Sequence, residues 1–306
     1  MAVVAQPGRR GLRLPRITLA LPSLVWYFVF FVVPLIVIVV YSFGYKPPST
    51  ASSSIGLDRL SFDNYANTFS DTFNRTFIAT IRIAVTGTVL CLLVGFPLAY
   101  FLATRTSPRW RGVLLGLVIV PFWTSFLLRT FAWRILLSAN GPASTFLQSI
   151  CILGEPLRVL DTRGAVQLGV LYNYLPLMIF PLFVALDRLD PALREASKDL
   201  GADRVRTFIQ ITLPLVMPGV VAGLLLVFIP LAGEYVTPAV LGGAKGLMAG
   251  GLVASQFLEA LNWALGSAMA VVLILLILAV IGVFGIAGLL VKNAVRRNRR
   301  VEEVTR

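Results

Sequence analysis

Apolar residues fall along this 306-residue chain in long blocks that carry no charge. Six blocks approach or exceed the roughly 20 residues that a membrane-spanning helix needs. They are 17–45, 83–104, 112–128, 164–186, 207–233 and 260–291. The third is short, but apolar character resumes past Arg129 and runs to Leu137. A seventh uncharged stretch, 135–154, holds Asn140, Gly141, Pro142, Ser144, Thr145, Gln148 and Ser149. That content suits a surface loop with a short helix. The pattern predicts an all-α membrane protein of six transmembrane helices. Pro34, Pro97, Pro121, Pro176, Pro181, Pro218 and Pro230 fall inside the blocks. They predict a kinked bundle in which neighbouring helices satisfy the freed carbonyls, with a kink at Pro34 and a bend at Gly95-Phe96-Pro97.

Charge adds orientation. The chain is 57% hydrophobic and 13% charged, against about 25% charged for a soluble domain. Lys and Arg number 27 and Asp and Glu 14, for a net charge of +13. Beside apolar blocks this excess points to membrane lipid rather than nucleic acid as the partner. Eighteen basic residues lie in the termini and the two even-numbered gaps, from Arg9 to Arg16, Arg105 to Arg111, Arg188 to Arg206 and Lys292 to Arg306. Six lie in the opposite loops, and Arg82, Arg129 and Arg134 lie at or near membrane depth. Both termini are therefore expected in the cytoplasm of a bacterial inner membrane. An odd number of spans would export the basic tail Arg296–Arg300. The chain divides into a basic tail 1–16, a six-helix domain 17–291 and a basic tail 292–306, with a charged internal loop at 187–213. The first span is too long for a cleaved signal peptide, and no small-residue cleavage site follows it. Outside, Lys46–Ser54 has a linker composition, an amphipathic stretch runs from Phe62 to about Arg75, and the third external loop is glycine-rich.

Catalytic chemistry is sparse. Histidine is absent, and Cys91 and Cys151 stand far apart without CxxC spacing, which predicts no metal site, no catalytic residues and two isolated packing cysteines. No GxxxxGK[ST] phosphate loop is present either, so no cofactor is expected in this chain.

The internal loop is the richest segment. Asp190 suits an N-cap, Pro191 the first helical position, and Gly201 the left-handed residue that closes a helix. A second helix is expected from Asp203 to Thr212, ended by Leu213-Pro214, with a hinge at Gly201-Ala202. Ala192, Leu193, Ala196 and Leu200 form a small apolar face on the first helix. Such a face wants a partner, although these features alone equally describe a solvated loop helix.

Glu195-Ala196-Ser197, then three residues, Gly201, nine residues, Ile211, one residue and Leu213-Pro214 resemble the EAA loop of binding-protein-dependent ABC importer permeases. Ser197 stands where the family usually has its second alanine of the pair. The resemblance implies a coupling helix, carried by Glu195, Ala196, Ser197, Gly201, Ile211, Leu213 and Pro214, between spans four and five. It further implies a cytoplasmic ABC ATPase dimer that binds ATP-Mg, a second homologous permease subunit, and a periplasmic or lipid-anchored solute-binding protein. Pro121-Phe122-Trp123 through Trp133, Gly233-Glu234-Tyr235-Val236-Thr237-Pro238, Leu241-Gly242-Gly243 and Asn262-Trp263-Ala264-Leu265-Gly266 look like signatures of spermidine/putrescine-type permeases, of the first, PotB-like member of the pair. A polyamine is then the first expected solute, with an opine, a phosphonate or another small solute as the alternative.

A charge at the centre of a span costs on the order of 2.5–3.5 kcal/mol, so it faces protein or a water-filled path. Arg129 and Glu234 are the two such candidates for the translocation path, with Trp123, Tyr172, Tyr174 and Tyr235 as aromatic faces for an ammonium group. Snorkelling to an interface, or a permanent Arg129–Glu234 ion pair, are the competing readings. A self-sufficient secondary transporter would show inverted repeats or more mid-membrane carboxylates than Glu234. A membrane-embedded enzyme would need His, Cys or paired-Asp chemistry.

Overall fold

The computed structural model describes residues 16–48, 55–152 and 154–304. The tail up to Pro15 and the linker residues 49–54 lie outside the described residues, as do the expectations made for them. The fold is helical throughout, with a single isolated bridge between Tyr45 and Gly56 among the described residues. Five helices are long and apolar enough to cross a membrane: Ala20–Tyr41, Asp71–Thr104, Arg163–Asp187, Arg204–Ala232 and Trp263–Ile286. The pair Pro108–Trp123 and Phe126–Leu136, bent by 91°, makes a sixth when taken as one broken span. They are called spans one to six in chain order, the broken pair being span three.

Helix boundaries depart from the charge-free blocks where capping outweighs charge. Span two starts at Asp71, well before the block at 83, because the Ser70 side chain accepts the Phe73 N–H and caps a helix that includes Asp71, Arg75 and Arg82. Its 34 residues reach about 51 Å at 1.5 Å per residue, more than the roughly 30 Å hydrocarbon core, so part of it stands outside the membrane. It runs unbroken through Pro97.

Two prolines are absorbed by a widened turn. Phe28–Val32 and Phe208–Thr212 are π-helical, and each directly precedes a proline dipeptide, Val33-Pro34 and Leu213-Pro214. The Val33 N–H reaches the Phe28 carbonyl and the Leu213 N–H reaches that of Phe208, each five residues back. Proline cannot donate a helical hydrogen bond and crowds the carbonyl four residues before it, and the wide turn moves that carbonyl aside. The expectation that Leu213-Pro214 ends a loop helix is thus corrected. The helix begun at Arg204 continues to Ala232 as span five.

Spans two, four and five form the core. Met178, Ile179, Leu182 and Val170 of span four are fully buried against Ala84 and Cys91 of span two and Val227 and Leu231 of span five. Helices associate in lipid through close packing, which small residues allow. A Cβ at Gly219 would fall 2.4 Å from the Ala185 Cβ and 2.7 Å from the Pro181 carbonyl oxygen, and one at Gly87 would fall 2.7 Å from Val170 Cγ1. Cys91 packs here as expected, whereas Cys151 is exposed on a loop.

The glycine-rich external segment folds instead of looping. Val236–Gly242 packs on span four and on Phe126–Leu136, and Ala249–Leu258 packs on the helix Trp263–Val304. The Ala249 N–H donates to the buried Thr80 Oγ1 of span two at 2.8 Å. In the second external loop the short helix is Pro142–Ser149. Span one rests its Val33–Tyr41 half on the span-six helix, and none of its hydrophobic window is buried within the chain.

Gly219→Val should cost about 1–3 kcal/mol through overpacking and lower the unfolding temperature of the detergent-purified chain. Gly116→Val, at a site with nothing within 4 Å, should leave it unchanged. Equal effects of the two would show that the packing of spans four and five does not limit stability.

Candidate functional site

The internal loop is built as two capped helices folded on each other. Pro191–Asp199 begins at Asp190, whose carboxylate accepts the Ala192 N–H at 2.9 Å. It closes at Gly201, φ +82°, where the Gly201 N–H donates to the Lys198 carbonyl at 2.8 Å and the Ala202 N–H to that of Ser197 at 3.1 Å. These paired bonds form a Schellman closure, which satisfies the last carbonyls of the helix. Asp203 then caps the next helix by accepting the Arg206 N–H at 2.7 Å.

Ser197 is the pivot. Its hydroxyl is buried and lies 3.0 Å from the Thr207 hydroxyl, so the loop helix is bonded to the first turn of the helix that becomes span five. An alanine at 197 could not make that bond. Phe208, one residue on, meets Phe96 and Tyr100 of span two edge-on, with ring centroids 5.6 and 6.3 Å apart. Arg111 pairs with Asp187 and donates to the Ala103 carbonyl, joining the start of span three to the ends of spans two and four. Ile211 and Leu213 are half-buried and Pro214 is exposed. Glu195, Ala196 and Leu193 are exposed, and Leu200 is 89% exposed, so the apolar face has no partner among the described residues.

At the other end of span five, Glu234 is 8% exposed. Its Oε1 accepts the Thr237 N–H at 3.0 Å, and Tyr174 of span four lies beside the carboxylate. Asn173 donates to the hydroxyls of Thr130 and Thr237, at 3.4 Å each. Glu234 Oε2 and Asn173 Oδ1 have no hydrogen-bond partner among the described residues. Sequence reasoning named Glu234 and Tyr174 but missed Thr130, Asn173 and Thr237. Thr130 and Thr237 fall inside the quoted signature segments and Asn173 is a single polar residue in an apolar stretch, but nothing in the sequence links the three.

Arg129 does not join this carboxylate. The one ion pair among the described residues is Arg111–Asp187, so a permanent Arg129–Glu234 pair is absent. The Arg129 guanidinium sits 5.2 Å from the Phe122 ring centroid and 5.9 Å from that of Phe126, with Nε and Nη1 buried and without a hydrogen-bond partner among the described residues. Aromatic faces offset part of the cost of a desolvated cation. Trp123, at the span-three break, is 86% exposed, Tyr235 is exposed, and Tyr172 packs edge-on against Trp133 at 5.4 Å. Thr130 and Tyr174, the sequence neighbours of Arg129 and Tyr172 at one and two positions, belong to the buried cluster at Glu234, whereas the Arg129 guanidinium turns to Phe122 and Phe126 and Tyr172 to Trp133.

Residues 95–300 match the family described as binding-protein-dependent transport system inner membrane component. The chain belongs to that family of multi-pass membrane permeases. It is 36% identical over 246 residues to the spermidine/putrescine transport system permease protein PotB of Haemophilus influenzae, covering 80% of this chain and 84% of that one. The PotB of Escherichia coli K12 is 35% identical over 248 residues, covering 81% and 88%. In fold, the chain resembles a bacterial ABC transporter involved in the import of the acidic polysaccharide alginate, with TM-score 0.65, 21% identity and coverage of 86% and 92%. A second structure of an alginate transporter, in complex with a pentasaccharide-bound periplasmic protein, matches with TM-score 0.66, 20% identity and coverage of 86% and 90%.

Gly201→Ala would place a Cβ in a left-handed conformation, with nothing within 4 Å to clash, so its cost is the backbone alone, about 1 kcal/mol. Amide exchange across Pro191–Gly201 should quicken about fivefold, with the spans unchanged. Unchanged exchange in the loop would show that the Schellman closure does not hold it.

Proposed function

We propose that this chain is the membrane-spanning subunit of an ATP-binding-cassette importer that carries a polyamine of the spermidine/putrescine class, with both termini in the cytoplasm. Pro191–Gly201 is the coupling helix, and Glu195, Ala196, Ser197, Gly201, Ile211, Leu213 and Pro214 form or brace the surface on which a cytoplasmic ATPase dimer docks. ATP-Mg is bound and hydrolysed on that ATPase. A second homologous permease completes the path, and a solute-binding protein delivers the solute from outside.

The observation that carries this reading is the loop helix itself. It is capped at both ends and hydroxyl-bonded to span five, and it leaves Leu193, Ala196 and Leu200 uncovered among the described residues. Coupling by a helix needs a rigid root and a free docking face. The polyamine reading draws on the relatives named above and on Glu234, a buried carboxylate with Tyr174 beside it whose Oε2 has no hydrogen-bond partner among the described residues. A buried carboxylate with an open oxygen is the chemistry that takes an alkylammonium group. Trp123, Tyr172 and Tyr235 line the same path, and Arg129 sets its electrostatic edge near span three.

The test is uptake in vesicles holding the chain with its ATPase, sister permease and solute-binding protein. Labelled spermidine should accumulate in an ATP-dependent, saturable manner, and a labelled opine or alkylphosphonate should not. Glu234→Gln should lower spermidine uptake at least tenfold at equal levels of assembled complex, and Arg129→Gln should not copy it. Opine or phosphonate uptake with none of spermidine would overturn the solute. Equal loss of assembled complex in both variants would make Glu234 structural.

A further inference from the structure

A cavity of about 420 Å³ lies between the cytoplasmic end of span two and the internal loop. Arg105 enters its wall from just past span two, Arg194 and Lys198 from the loop helix, and Arg204 from the first turn of the next helix. Thr104 supplies a hydroxyl to the same wall, and Glu195 is its one carboxylate. Four cations from three segments therefore face one acid. None of the four belongs to an ion pair, since the one ion pair among the described residues is Arg111–Asp187. Asp190, Asp199 and Asp203 are on the same loop yet do not line the cavity. Topology requires basic residues on this side of the membrane, but it does not require their convergence on one concave wall.

We infer that this cavity binds a phosphate group. Guanidinium forks match phosphate oxygens in geometry as well as charge, and a lysine ammonium adds a point charge. Three positive charges stay uncompensated after Glu195 is counted, enough for a phosphate mono- or diester. Two sources share that chemistry, the headgroup of an anionic lipid and a free phosphate. Thr104 ends span two, which puts the cavity at the depth where anionic headgroups of the cytoplasmic leaflet lie and draw in basic side chains. A bound phosphate bridges span two and the loop helix, whereas Phe208, against Phe96 and Tyr100, ties span two to the root of span five. Occupancy therefore stiffens the loop helix on its root and makes its docking surface responsive to the leaflet beneath it. The inference needs the cytoplasmic placement of the loop but not the identity of the solute.

The experiment follows thermal unfolding of the full chain in dodecyl maltoside. Dioctanoyl phosphatidylglycerol, dioctanoyl phosphatidylcholine and inorganic phosphate are each titrated in. Phosphatidylglycerol should raise the unfolding temperature saturably, and phosphatidylcholine should not. Arg194→Gln with Arg204→Gln should weaken the midpoint at least tenfold, whereas Arg188→Gln with Arg206→Gln, off the cavity wall, should leave it unchanged. If the double variant does not fold, Arg105→Gln on the facing wall gives the same readout. A rise with inorganic phosphate that is lost in the same variants supports the site and makes a soluble phosphate its ligand. Equal responses to both lipids, or a phosphatidylglycerol response that survives the cavity variants, overturn the inference. So does a double variant that keeps its lipid response but no longer co-purifies with the ATPase, which would assign these cations to protein docking.

Discussion

The wide turn that carries the chain past Pro214 decides how the loop between spans four and five relates to the bundle. Had Pro214 broken the helix, the loop would hang on a flexible joint. The Leu213 N–H instead reaches back to Phe208, and one helix runs from Arg204 to Ala232. Its 29 residues span about 44 Å at 1.5 Å per residue. Near its first turn Thr207 bonds Ser197 of the loop helix, and just past its other end Glu234 enters the buried cluster with Thr237 and Tyr174. In the proposed importer, movement of the docked loop helix reaches the solute path as displacement of one rigid rod.

The rest of the bundle gives that rod its bearing surface. Gly219 and Gly223 bring span five against Pro181 and Met178 of span four, and Gly87 brings span two against Val170. Close packing of this kind holds helices together in lipid, where apolar burial supplies little drive. The broken span three and span one stand at the margin of this core. Their exposed apolar surfaces, Trp123 among them, are the surfaces that the proposed assembly gives to lipid and to the sister permease. Arg129, tucked between phenyl faces instead of paired with Glu234, leaves the Glu234 carboxylate free of a fixed counter-ion.

The helical membrane class was legible in the sequence because length and apolarity are local properties. The loop helix was legible for the same reason, since Asp190, Pro191 and Gly201 each act on their own turn. Boundaries were less so. Asp71, Arg75 and Arg82 stopped the reading of span two, although a cap at Ser70 starts the helix before them. The break at Thr124-Ser125 hides inside an apolar run, and the π turn at Phe208–Thr212 has no residue signature that separates it from a helix end. The external glycines read as loop because glycine marks close backbone approach as well as turns; Gly250, whose Cβ would fall 2.5 Å from the Gly233 carbonyl oxygen, is of the first kind. Thr130, Asn173 and Thr237 come from three separate elements, and only the fold brings them together.

Rigidity of the rod is the most exposed part of this mechanism, and flexibility introduced just past the wide turn measures it directly. Leu215 and Met217 are exposed within the chain, and glycine at each costs about 1 kcal/mol of helix stability relative to alanine. ATP-driven uptake should be compared between the Leu215→Gly/Met217→Gly and Leu215→Ala/Met217→Ala chains, each in its assembled transporter. A rigid connection predicts that the glycine pair lowers uptake at least tenfold while the ATPase still co-purifies, with the alanine pair close to the unmodified chain. Equal uptake in the two would contradict it and would mean that the loop reaches the solute path by another route.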